Sequence, residues 1–102
     1  MELTSGSRWK SAVCDTEVVV VRPPDTPAEL GCGGAAMLPL DAERPPGGAP
    51  DPELAGGAQM GKRYADEASG LELLCTKPGA GTLTIDGKPI ELKGAKPLPS
   101  SD

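Results

Sequence analysis

Thr82-Leu83-Thr84-Ile85-Asp86-Gly87-Lys88-Pro89-Ile90-Glu91-Leu92 is the stretch that settles the fold class. Thr82–Ile85 alternates polar and apolar residues, the period of a half-buried strand. Asp-Gly supplies two residues that tolerate positive φ, which a two-residue hairpin turn needs. The reading is a β-hairpin with Leu83 and Ile85 on one face.

Working outward, Leu71-Glu72-Leu73-Leu74-Cys75-Thr76 reads as a strand with Cys75 near its end. Lys77-Pro78-Gly79-Ala80-Gly81 follows as a turn. Arg63-Tyr64 opens another strand, and residues 65–70 turn the chain. Near the start, Val18-Val19-Val20-Val21 is a β-branched run too short for a helix and closed by Pro23-Pro24. Residues 8–13 read as a preceding strand that puts Cys14 in the turn, and Leu30 re-enters the sheet just before Cys32. Glycines interrupt both 28–37 and 53–60, so no helix is encoded. The expected fold is mainly β: a small knuckle or ribbon-like β domain with a C-terminal hairpin. Four parts follow along the chain: a β segment at 8–38, a Pro/Gly-rich linker at 39–61, a hairpin segment at 62–92 and an extended, irregular tail at 93–102.

Composition limits how that domain can be stabilised. Glycine and proline make up 26 of the 102 residues, Leu, Ile and Val total 18, and Trp9 and Tyr64 are the only aromatics. Such a chain has little apolar surface to offset its ordering entropy. A thin core and one external source of stability are expected: a metal, a disulfide or a partner. The net charge of -5 argues against nucleic acid as a partner, because phosphate binding needs a basic face. No apolar run approaches the roughly 20 residues of a membrane span, and residues 1–7 show no secretory signal. The expected compartment is the cytoplasm, where cysteines are more often reduced thiols or metal ligands than disulfides.

With no histidine in the sequence, Ser-His-Asp and Cys-His nucleophiles and mixed Cys/His zinc sites are ruled out. No Walker-type phosphate loop is present, and Gly79-Ala80-Gly81 lacks the strand–glycine–helix context of one. Carboxylates such as Asp66 and Glu67 fall in a turn. No enzyme is expected.

That leaves Cys14, Cys32 and Cys75 as the candidate chemistry. Each precedes turn-forming sequence, and a glycine after a ligand cysteine frees backbone N–H groups to point at sulfur. Three thiolates could bind Zn²⁺ or Fe, with Asp15, water or a partner residue in the fourth position. The plain alternative is that the cysteines are small packed hydrophobes, as Cys75 within Leu-Leu-Cys would be. A Cys14–Cys32 disulfide switch is a further option, although no Lys or His adjoins either thiol to lower its pKa.

Trp9-Lys10-x-x-x-Cys14, the Val18–Val21 run, a proline-interrupted loop and Leu30-x-Cys32-x-Gly34-x-x-Met37 together resemble desulforedoxin and the N-terminal domain of desulfoferrodoxin. The likeness covers residues 8–38. It implies a small β domain, often homodimeric, that holds iron through four cysteines. Here the first cysteine position is Ser11 and the adjacent-cysteine position is Gly33, so only Cys14 and Cys32 carry over as ligands. The superoxide-reducing centre of larger relatives also needs histidines, so that activity is not implied. Two functions are therefore expected. One is a non-catalytic accessory subunit that binds and stabilises a larger protein or acts as a homo-oligomer, with a Cys-ligated metal as an optional staple. The alternative is a Zn or Fe redox or electron-transfer protein of degenerate desulforedoxin type.

Overall fold

The computed structural model describes residues 3–44 and 48–92. Its elements are β1 (Arg8–Lys10), β2 (Glu17–Arg22), β3 (Leu30–Cys32), β4 (Ala35–Ala36), β5 (Leu38–Pro39), a 3-10 turn (Pro52–Leu54), β6 (Arg63–Asp66), β7 (Leu71–Lys77), β8 (Leu83–Ile85), β9 (Lys88–Pro89) and β10 (Glu91–Leu92). The protein is mainly β, as the alternating and β-branched patterns require. The Asp-Gly turn joins β8 to β9 with φ 50° at Asp86 and 83° at Gly87. Both central residues of such a turn must adopt positive φ, which Asp tolerates and Gly adopts freely. Ile85 and Lys88 face each other across it.

The strands form two antiparallel sheets, one in the order β10-β6-β7-β2-β1-β5 and the other in the order β4-β3-β8-β9. Each sheet therefore takes strands from both the 8–38 and the 62–92 segments. The central partnership pairs the valine run with the later apolar strand, Val18 opposite Cys75 and Val20 opposite Leu73. In the smaller sheet Leu30 lies opposite Ile85 and Cys32 opposite Leu83. Interleaving lets two segments that are each too poor in apolar residues share one interior.

That interior is a single cluster that includes Trp9, Val18, Val20, Leu30, Met37, Tyr64, Leu71, Leu73, Leu83 and Ile85. Leu30, Leu71 and Leu73 are 0 % exposed. Burying each such side chain contributes about 2 kcal/mol against ordering entropy. Both aromatics keep their polar atoms bonded. The Trp9 indole N–H donates to Ser7 Oγ at 3.0 Å, and the Tyr64 hydroxyl accepts the Gln59 amide at 2.9 Å. Arg63 pairs with the nearly buried Glu72 at 3.2 Å. Leu83 and Ile85 share the buried face as expected, and Thr84 between them is buried as well, so β8 is covered on both sides.

Two stretches differ from the sequence reading in an instructive way. Strand β1 stops at Lys10 rather than reaching residue 13, because the Ser11 hydroxyl takes the Val13 and Cys14 amides out of strand pairing. Within the 39–61 linker, the described residues are bonded to the domain. Asp51 caps the 3-10 turn and donates its amide to the Gly33 carbonyl at 2.8 Å, while Ala58 forms a β-bridge with Gly79. Residues 45–47 and the 93–102 tail lie outside the described residues. Among the described residues no helix is long and apolar enough to cross a membrane.

Candidate functional site

Ser11-Ala12-Val13-Cys14 leaves β1 as a tight knuckle. Ser11, 0 % exposed, accepts the amides of Val13 and Cys14 at 3.1 Å each. A short hydroxyl side chain that bonds the backbone two and three residues on is a standard way of closing such a turn. The knuckle sets Cys14 half-buried at the edge of the core. Cys32 ends β3 and is 0 % exposed. The turn after it runs through Gly33 at φ 65° and Gly34 at φ 92°, a left-handed pair that glycine adopts without strain.

These two turns bring the sulfurs of Cys14 and Cys32 to 3.7 Å. A third strand-to-strand turn covers them. The Gly81 amide donates to Cys14 Sγ at 3.4 Å, and Thr16 Oγ1 lies 3.2 Å from the same sulfur. Two positions of the covering loop have no room for a side chain. A Cβ on Gly81 would sit 2.8 Å from Cys32 Sγ, and one on Gly79 would sit 2.5 Å from the Thr16 nitrogen. The Pro/Gly stretch holds this loop in place: Thr82 donates to the Leu54 carbonyl at 2.8 Å and Ala58 donates to the Gly79 carbonyl at 2.9 Å, while Gly33 ties the turn after Cys32 to the same loop through the Thr82 carbonyl at 3.0 Å. Residues read as a connector thus fasten two of the three turns around the thiol pair, the one after Cys32 and the covering loop.

The two thiols differ in electrostatics because their surroundings differ. Burial pushes Cys14 up, but hydrogen bonds from the Ser11 and Thr16 hydroxyls and the Thr16 and Gly81 amides outweigh it, bringing the thiol down from 9.0 to about 7. Burial pushes Cys32 up to about 12, and the neighbouring Cys14 charge adds to this against the two hydroxyls. With Cys14 ionised, the Cys32 S–H is the donor between them. The absence of a nearby Lys or His therefore does not keep Cys14 at its ordinary value. Backbone amides and hydroxyls do the work a cation would do.

Cys75 lies in β7, one of the two central strands of the six-stranded sheet, is 1 % exposed, and its thiol donates to the Lys77 carbonyl at 3.1 Å. Burial raises its pKa. Asp15 points outward, with its side chain 73 % exposed and paired to Arg44 at 3.7 Å. Among the described residues, no three Cys, Asp or Glu side chains gather as a metal-holding group. Of the sequence candidates, the fold pairs Cys14 with Cys32 and leaves Cys75 bonded along its own strand.

A closed four-thiolate centre fits this donor set poorly. The 3.7 Å sulfur separation is close to the edge of a tetrahedron with metal–sulfur bonds of about 2.3 Å. The other two corners lack soft donors. Ser11 offers a hydroxyl already engaged by two amides, and Gly33 offers no side chain. A Cβ at Gly33 would meet Val13 Cγ2 at 2.8 Å and Pro50 Cβ at 3.0 Å, so the linker fills the space a cysteine there would need. No family model matches the chain, and neither a curated protein nor a solved structure matches it.

Proposed function

We propose that the chain is a small accessory protein whose working part is the Cys14–Cys32 dithiol, which passes between a reduced pair and a disulfide. One observation carries this reading. Two thiols stand 3.7 Å apart with nothing between them, one half-buried and the other sealed behind it. A disulfide has a sulfur–sulfur bond of about 2.05 Å, so closure requires the two sulfurs to approach by about 1.7 Å. Cys14 is the attacking thiol and Cys32 the resolving one, because only Cys14 meets solvent and is ionised near neutrality. The partner class expected from composition, a larger protein subunit or a second copy of the chain, is where a change at this site would be read.

The test is equilibration of the full chain with mixtures of reduced and oxidised glutathione, followed by acid quenching, alkylation and peptide mapping. The expected result is one intramolecular Cys14–Cys32 disulfide with Cys75 alkylated only after denaturation. A chain in which no glutathione ratio links the two cysteines would refute the reading. Thiolate-to-metal absorption on adding cobalt(II), retained through gel filtration, would favour the alternative that Zn or Fe occupies the site with ligands from a partner.

A further inference from the structure

The surroundings of Cys14 narrow the oxidant. We propose that the Cys14–Cys32 pair is oxidised directly by small hydroperoxides, with Cys14 attacking the peroxide oxygen and Cys32 resolving the product. This rests on the dithiol reading above and adds a substrate class to it.

Three observations support a small substrate with an O–O bond. First, the site offers no recess for a large oxidant. Cavities of about 410 Å³ and 260 Å³ lie elsewhere, the larger beside Arg8, Val19, Leu40 and Lys77 and the smaller beside Leu3 and Pro24–Ala28. Neither reaches Cys14, which is half-buried at the edge of the core. Hydrogen peroxide is barely larger than water and needs no recess to meet such a sulfur. Second, the donors around the sulfur suit this chemistry. The Gly81 N–H at 3.4 Å and the Thr16 hydroxyl at 3.2 Å are aimed at the Cys14 sulfur and favour the thiolate that attacks an O–O bond. Third, the resolving thiol is already in place, dry and 3.7 Å away, so the oxidised sulfur is captured before a second peroxide reaches it.

Cys14–S⁻ attacks the terminal oxygen of ROOH, the O–O bond breaks, and Cys14–SOH forms with RO⁻, which takes a proton to leave as ROH. Cys32–SH then attacks the Cys14 sulfur, and Cys14–S–S–Cys32 forms with release of water. Sulfur has lost two electrons and peroxide has gained them. Two equivalents of a low-molecular-weight thiol return the pair to the dithiol and leave as their own disulfide.

The experiment treats the reduced full chain with one equivalent of hydrogen peroxide, with or without dimedone, and reads intact mass and peptide maps. Without dimedone the mass is expected to fall by about 2 Da with Cys14 linked to Cys32. With dimedone most of the native chain should still close to the disulfide, and the fraction that is trapped should carry the adduct on Cys14 alone, a result independent of whether any variant folds. Cys32→Ala should let that adduct accumulate, and Cys14→Ala should slow peroxide consumption about tenfold or more. An adduct on Cys32 or Cys75, or unchanged consumption in Cys14→Ala, overturns the proposal. Diamide serves as the control. If diamide links the pair while peroxide leaves Cys14 unmodified, the hydroperoxide proposal is wrong and the dithiol reading stands. If neither oxidant links them, both are wrong.

Discussion

The Gly81 amide donates to the Cys14 sulfur at 3.4 Å from 67 positions further along the chain. That bond ties the reactivity of an N-terminal thiol to the conformation of a C-terminal loop. It also makes Cys14 unlike the other two cysteines in a way that can be measured.

Alkylation by iodoacetamide should separate the three thiols. Cys14 is expected to react in the folded chain with a rate that rises through a midpoint near pH 7, while Cys32 and Cys75 stay protected. Peptide mapping after timed quenching at several pH values reads this directly. Equal labelling of Cys32 would show that the pair is not asymmetric.

Ser11→Ala should have two separable effects. It leaves the Val13 and Cys14 amides without their acceptor inside the fold, at a cost of about 1–3 kcal/mol. It also removes one of the hydroxyls that lower Cys14, so the alkylation midpoint should move upward. Urea denaturation measures the first effect and the pH profile the second.

Gly79→Ala tests whether the loop over the thiols is as tight as described. The added Cβ would fall 2.5 Å from the Thr16 backbone nitrogen, which cannot swing aside as a long side chain can. The expected loss is about 3 kcal/mol or more by chemical denaturation. Ala80, exposed in the same turn, is the control, and Ala80→Ser should change stability by less than about 0.5 kcal/mol.

Stability under reducing conditions should pass through a maximum near pH 9. Cys14 is lowered from 9.0 to about 7, so between those values the folded chain has lost a proton that the unfolded chain still binds. Stability therefore rises across that window, by no more than about 1 kcal/mol because the thiol is partly exposed and screened. Cys32 is raised to about 12 and Cys75 is raised as well, so above pH 9 the unfolded chain releases protons that the folded chain keeps. Stability then falls. Urea midpoints from pH 6 to 11 test both limbs, and Cys14→Ala should abolish the rise and soften the fall, because the Cys14 charge helps hold Cys32 and Cys75 up.

Which parts of this were legible in the sequence follows from how local each signal is. Asp86-Gly87 between alternating residues encodes its own hairpin, and the Val18–Val21 run can be little else than a strand. Cys14 in a turn and Cys32 at the end of a strand also follow from neighbouring residues. The pairing of β2 with β7 depends on shared burial across more than fifty residues and leaves no local mark. The same holds at the site. No pattern near Cys14 announces Gly81, and no pattern in 48–58 announces that Asp51, Leu54 and Ala58 bond to two of the turns around the thiols. Proline and glycine in that stretch read as a free connector because its order comes from backbone bonds, which carry no side-chain signature.

The interleaving of the two sheets bears on how the chain comes off the ribosome. Strand β2 has β1 as one neighbour, but its other edge waits for β7, and β3 waits for β8. Until residue 77 has emerged, Val18 and Val20 face water along an open edge, and Cys14 and Cys32 stand without the loop that covers them. Sheet closure across such separations is a slow folding event. A nascent chain stalled before β7 would present a sticky valine strand and two uncovered thiols at the same moment.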